Sequence, residues 1–110
     1  MRALGVVAVA LVLAGPALAT AGNPVAGKTV FKAKCGSCHT LKAAGTIAKS
    51  ANHGPTLTNR RETVSRIMNE MTGGNTGLMP IFVGLISTKQ INDVVAFVVA
   101  ASKPGVTTVK

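Results

Sequence analysis

The chain has 110 residues, with 12 Lys and Arg against 3 Asp and Glu, and a formal charge of +9. Its length and its two cysteines exclude a multidomain enzyme and a disulfide-dense scaffold. Hydrophobic residues make up 47%, yet the aromatics are only Phe31, Phe82 and Phe97, which leaves a thin core for so short a chain.

Met1 and Arg2 open the chain with a positive charge, and Ala3 to Ala14 is then almost wholly apolar. Gly15 and Pro16 break any helix, and the small-residue sites Ala17-Leu18-Ala19 and Ala19-Thr20-Ala21 follow. This order is that of a secretory signal peptide over residues 1–21, cleaved after Ala19 or Ala21. The rival, a retained membrane anchor, needs roughly 20 apolar residues, and the run before Gly15 is shorter. Residues 22–110 then form one small domain outside the cytoplasm. It stays strongly basic, at +8 once Arg2 is lost, and is poorer by almost a third of the hydrophobic residues.

Asn23-Pro24 predicts a helix start, with Asn as N-cap and Pro at the first position, running to about Lys34. Gly27 and Phe31 share one face of it. Cys35-Gly36-Ser37-Cys38-His39 follows, the spacing of covalent c-type haem attachment. Thiols three residues apart lie on one side of a turn and can reach two neighbouring vinyl groups, and the next imidazole falls under the ring. The alternatives are a thiol redox pair, which elsewhere sits among alternating strands and helices, and zinc bound by Cys35, Cys38, His39 and the distant His53. Zinc there lacks a second pair of close ligands.

Residues 39–59 have poor periodicity and hold Gly45, Gly54 and Pro55. They predict mostly loop, with a helical turn near Leu41 to Ala51. His53 reads as a surface histidine rather than a second haem ligand. A second helix is expected over Glu62 to Met71, with Val64, Ile67, Met68 and Met71 as its apolar stripe. Gly73 and Gly74 end it. Gly73, Gly74 and Gly77 let the backbone bend closely around a flat object. Met79 then offers a thioether, a soft ligand suited to haem iron, and Pro80 fixes the chain direction after it. The stripe makes Met68 and Met71 core residues rather than rival ligands. The last helix starts at the capping box Ser87-Thr88-Lys89-Gln90, stapled by Ile86 and Ile91. Ile91, Val94, Val95 and Val98 form its buried face, Phe97 lies beside it, and Lys103-Pro104-Gly105 stops it.

In this order of elements the chain resembles the class I c-type cytochromes, from about Val25 to Ser102. The resemblance rests on Gly27 and Phe31, on Cys35-Gly-Ser-Cys38-His39, on Gly54-Pro55-Thr56-Leu57, on Met79-Pro80 and on the last helix with Phe97. It implies an all-α fold of three to four helices around one covalently bound haem c. It implies thioethers at Cys35 and Cys38, axial iron ligands His39 and Met79, and a Pro55 carbonyl accepting from the His39 ring. It further implies that the first and last helices cross at Gly27, Phe31 and Phe97. The chain departs from the family in lacking Trp and Tyr near the haem, so bonds to the propionates would come from elsewhere; Arg60 or Arg61 is a candidate, against the plainer reading of a solvated arginine pair.

With both axial positions filled by protein, the iron has no site for substrate, so electron transfer is expected and catalysis is not. The resemblance implies a one-electron carrier between respiratory or dehydrogenase partners, secreted to the periplasm or the outer face of the membrane. Lys28, Lys32, Lys34, Lys42 and Lys89 would steer it onto acidic docking surfaces of an oxidase, reductase or dehydrogenase. Nucleic acid is not an expected partner, since no dense basic run or aromatic platform is present. Stable membrane insertion is not expected once the signal is cleaved. The competing functions are a haem peroxidase or gas-binding protein with a labile Met79, and a haem-free thiol redox protein.

Overall fold

The computed structural model describes residue 5 and residues 22–73 and 79–110. The expected signal segment, residues 1–21, and the loop glycines Gly74 and Gly77 therefore lie outside the described residues, Gly5 apart.

Among the described residues, three α-helices carry the fold: α1 (Pro24–Lys34), α2 (Val64–Met71) and α3 (Thr88–Ala101). A single 3-10 turn at Lys42–Ala44 stands in the long loop after α1. The described residues form no strand, only isolated bridges between Leu41 and Thr46 and between Val83 and Ile86. The β-branched run of α3 is thus helical, as its capping box requires.

Local chemistry sets each helix start. Asn23 accepts from the backbone of Val25 at 2.9 Å and Ala26 at 3.2 Å, which satisfies donors that have no partner inside the helix. Ser87 accepts from Gln90 at 3.1 Å while the Gln90 side chain accepts from Ser87 at 2.8 Å. Thr63 caps α2 by accepting from Arg66 at 3.3 Å. That cap sits later than the expected start at Glu62. Arg61 is held at φ 56°, a left-handed conformation that no helix accommodates. Its N–H donates to the Ser102 carbonyl, and that of Glu62 donates to the Ser102 hydroxyl, both at 2.9 Å. The fully buried Ser102 therefore takes the backbone that would have begun the helix. The apolar stripe of α2 is also narrower than its spacing predicts: Ile67 and Met71 are buried, Met68 is half-buried, and Val64 is 40% exposed.

The core is the crossing of α1 and α3, with Leu41, Leu57, Ile67, Met71 and Phe82 packed around it. Phe31 and Phe97 meet there, ring centroids 5.7 Å apart and tilted by 58°, a favoured aromatic geometry. Gly27 makes the crossing close. A Cβ on it would collide with the Asp93 carbonyl and stand 2.8 Å from Cβ of Phe97. Asp93 itself is buried. It accepts from the backbone N–H of Asn23 at 2.8 Å and from the Lys89 ammonium at 2.7 Å. Those two donors, Lys89 first, hold its carboxyl below the usual 3.8.

Candidate haem site

The site is built where α1 ends. Cys35 and Gly36 both donate to the Phe31 carbonyl, at 2.8 and 2.9 Å, which closes the helix. Cys38 and His39 then both donate to the Cys35 carbonyl, at 3.1 and 2.9 Å. This tight turn gathers two half-buried, unbridged thiols and one imidazole on a few residues of backbone. Burial, helped by the neighbouring Cys38, pushes the Cys35 thiol up to about 12.

The loop folds back to hold this turn. Lys49 and Ser50 donate to the Ser37 carbonyl at 3.0 and 3.1 Å, and Gly54 donates to the Cys38 carbonyl at 2.8 Å. The Thr46 hydroxyl donates to the His39 carbonyl at 2.9 Å and accepts from Leu41 N–H at 3.2 Å. The His39 ring is fixed separately. Its Nδ1 lies 2.9 Å from the Pro55 carbonyl oxygen. A carbonyl can only accept, so Nδ1 carries the proton and Nε2 keeps its lone pair. The ring is thus set in the tautomer that binds a metal through Nε2.

Met79 is half-buried against the core, together with Cys35 and Met68. Met71 is buried, with 2% exposure, and is committed to packing. Of the two half-buried methionines, Met68 lies on the regular backbone of α2, whereas Met79 lies outside any helix and just before Pro80. His53 is exposed, its Nδ1 donating to the Gly54 carbonyl at 3.2 Å. Arg60 is tied to Glu62 at 2.9 Å, and Arg66 approaches the same carboxyl at 3.8 Å. Lys89 is paired with the buried Asp93 at 2.7 Å, while its own side chain stays 75% exposed.

Three residues escaped the motif reading. Thr46 holds the His39 carbonyl from a loop position that no spacing rule connects. Ser102 works across 40 residues. Asp93 did leave a signal, a carboxylate amid the apolar residues of α3 with Lys89 four positions before it.

The donor set fits haem c. Two thiols three residues apart, an imidazole locked with a free Nε2 and a thioether from a separate segment are the side chains that covalent, two-ligand attachment needs.

Comparison with known proteins points the same way. Residues 22–98 match the family described as cytochrome c oxidase, cbb3-type, subunit III. The chain is 36% identical over 96 residues to cytochrome c6 of Rippkaea orientalis, covering 86% of this chain and 83% of that protein. It is 35% identical over 85 residues to cytochrome c6 of Leptolyngbya boryana, covering 76% and 98%. Among solved structures, the c-type cytochrome SorU of Sinorhizobium meliloti superposes with a TM-score of 0.61 at 24% identity, covering 74% of this chain and 92% of that one. Cytochrome c6 of the diatom Phaeodactylum tricornutum gives 0.56 at 28% identity, covering 74% and 95%.

Proposed function

The chain belongs to the family of small c-type cytochromes, which carry electrons and are not enzymes, and from that premise we propose a secreted one-electron carrier with His39 and Met79 as its axial ligands. When bound, the haem supplies the Fe(II)/Fe(III) couple. Cys35 and Cys38 would hold it covalently. His39 would ligate through Nε2, and Met79 through its sulfur. The observation that carries this is the His39 tautomer, since Nδ1 donates to Pro55 and leaves Nε2 as the ring's lone-pair nitrogen. The same bond makes the imidazole a stronger donor. A closed pair of protein ligands leaves no position for substrate and little to rearrange on electron exchange.

The thiol redox alternative is disfavoured by the same turn. A reactive thiol needs a lowered pKa, whereas burial pushes Cys35 up. The peroxidase or gas-binding alternative needs Met79 to leave the iron.

Residues 1–21 act as the cleaved signal in this proposal, with haem attached one per chain in residues 22–110. No described helix is long and apolar enough to cross a membrane. Lys28, Lys32 and Lys34 on α1 and Lys42 on the 3-10 turn flank the attachment turn and would steer the protein to an acidic redox partner. Lys89, exposed at the start of α3 and paired on one side with Asp93, would belong to the same set.

The test is a visible spectrum, with added cyanide, of protein secreted from a host that attaches haem. A low-spin spectrum unmoved by moderate cyanide is expected. A high-spin or readily ligated iron would favour the peroxidase alternative, and a colourless protein with two titratable thiols would favour the redox pair.

A further inference from the structure

We propose that Gly54 is a positioning residue for the His39 ring, needed for the space it leaves rather than for its backbone freedom. Gly45, Gly73, Gly84 and Gly105 all have positive φ, where a side chain is strained. Gly54 is not among them, so its backbone would accept an alanine. What excludes a side chain is the imidazole. The three atoms nearest to a Cβ built at Gly54 all belong to the His39 ring. They are Cε1, in direct collision, then Nδ1 at 2.9 Å and Nε2 at 3.0 Å.

Neither partner can step aside. The Gly54 N–H is bonded to the Cys38 carbonyl at 2.8 Å, one peptide from His39. The next carbonyl, of Pro55, takes the Nδ1 proton at 2.9 Å. The Thr46 hydroxyl holds the His39 carbonyl at 2.9 Å. Gly54-Pro55 is thus a two-sided clip, with one residue lying against the ring and the next binding its proton. A methyl group at residue 54 would have to rotate the imidazole. That would lengthen the bond from Nδ1 to Pro55 and turn Nε2 from its direction. A ring with a weaker proton acceptor donates less to a metal and stabilises the ferric form less.

The inference rests on His39 as the iron ligand, and the experiment separates the two. In reduced, haem-loaded wild-type protein, an NMR contact between Gly54 Hα and His39 Hε1 is expected, and its absence overturns the clip. In Gly54→Ala, the His39 ring signals should move, and the electron-exchange equilibrium against wild type should shift roughly tenfold toward reduced variant. Gly45→Ala, with open space around it but φ 69°, should lower Tm and leave both readouts unmoved. If Gly54→Ala keeps wild-type ring signals and equilibrium, the positioning role is wrong even though His39→Ala still loses low-spin haem. If His39→Ala keeps low-spin haem, the ligand assignment itself falls. Should Gly54→Ala fail to accumulate, the wild-type contact decides.

Discussion

The α1–α3 crossing and the loop around His39 are held by different physics. At the crossing, Phe31, Phe97, Val94, Val95 and Ala101 are essentially fully buried, and Gly27 brings the backbones together. Stability there comes from removing apolar surface from water. The loop of residues 39–57 buries little beyond Leu41, Ala43, Ala44 and Leu57. It holds its shape by single hydrogen bonds from Thr46, Gly54, Lys49 and Ser50 onto the attachment turn. Each such bond nets only about 1 kcal/mol. One region therefore carries the fold and the other carries the site, and changes should divide accordingly.

The largest effect should come from removing haem. With three aromatics in the whole chain, packing around the porphyrin must supply much of the core, so apoprotein should be largely unfolded by circular dichroism. A native-like helical signal in apoprotein would show that the crossing suffices alone. Next is Phe97→Ala, which opens a cavity at the crossing. It should cost about 4 kcal/mol by chemical denaturation while leaving the low-spin spectrum of the folded fraction unchanged.

Asp93→Asn should cost about 2 kcal/mol, because a buried carboxylate loses two charge-assisted bonds. Its pH dependence has a definite sign. The folded-state carboxyl is depressed, so its contribution is present above the unfolded value and is lost as pH falls through the folded one. The stability gap between wild type and Asp93→Asn should be flat above about pH 5 and should close below about pH 4. A gap that widened on acidification would contradict the Lys89–Asp93–Asn23 contact. The smallest effect belongs to the loop. Thr46→Val removes the hydroxyl that donates to the His39 carbonyl and accepts from Leu41 N–H, and since that N–H keeps the Thr46 carbonyl it should cost about 1 kcal/mol. It should also loosen the His39 amide, read as faster hydrogen exchange there than at α3.

Much of both regions was legible because their signals are local. The bounds of α1 agree with Asn23-Pro24 and the cysteine motif. The start of α3 agrees with its capping box. What stayed hidden acts over distance. The start of α2 was expected at Glu62, but Ser102 occupies that backbone from 40 residues away. Val64 kept the helical spacing of a core residue yet stands 40% exposed, because position on a stripe says nothing about which part of it finds a neighbour. Lys89 was legible as a surface charge, but its pairing with Asp93 needed the burial of that carboxylate to be known. Gly54 was visible as part of a motif, but its reason, the ring of His39, needs three dimensions.

The measurement that bears most directly on the electron-carrier proposal is the weak methionine–iron charge-transfer band of the ferric protein. Axial ligation by Met79 predicts the band in wild type, in Met68→Ala and in the folded fraction of Met71→Ala, and its loss in Met79→Ala. A Met79→Ala protein that kept the band would contradict the ligand assignment and the closed coordination on which the proposed function depends.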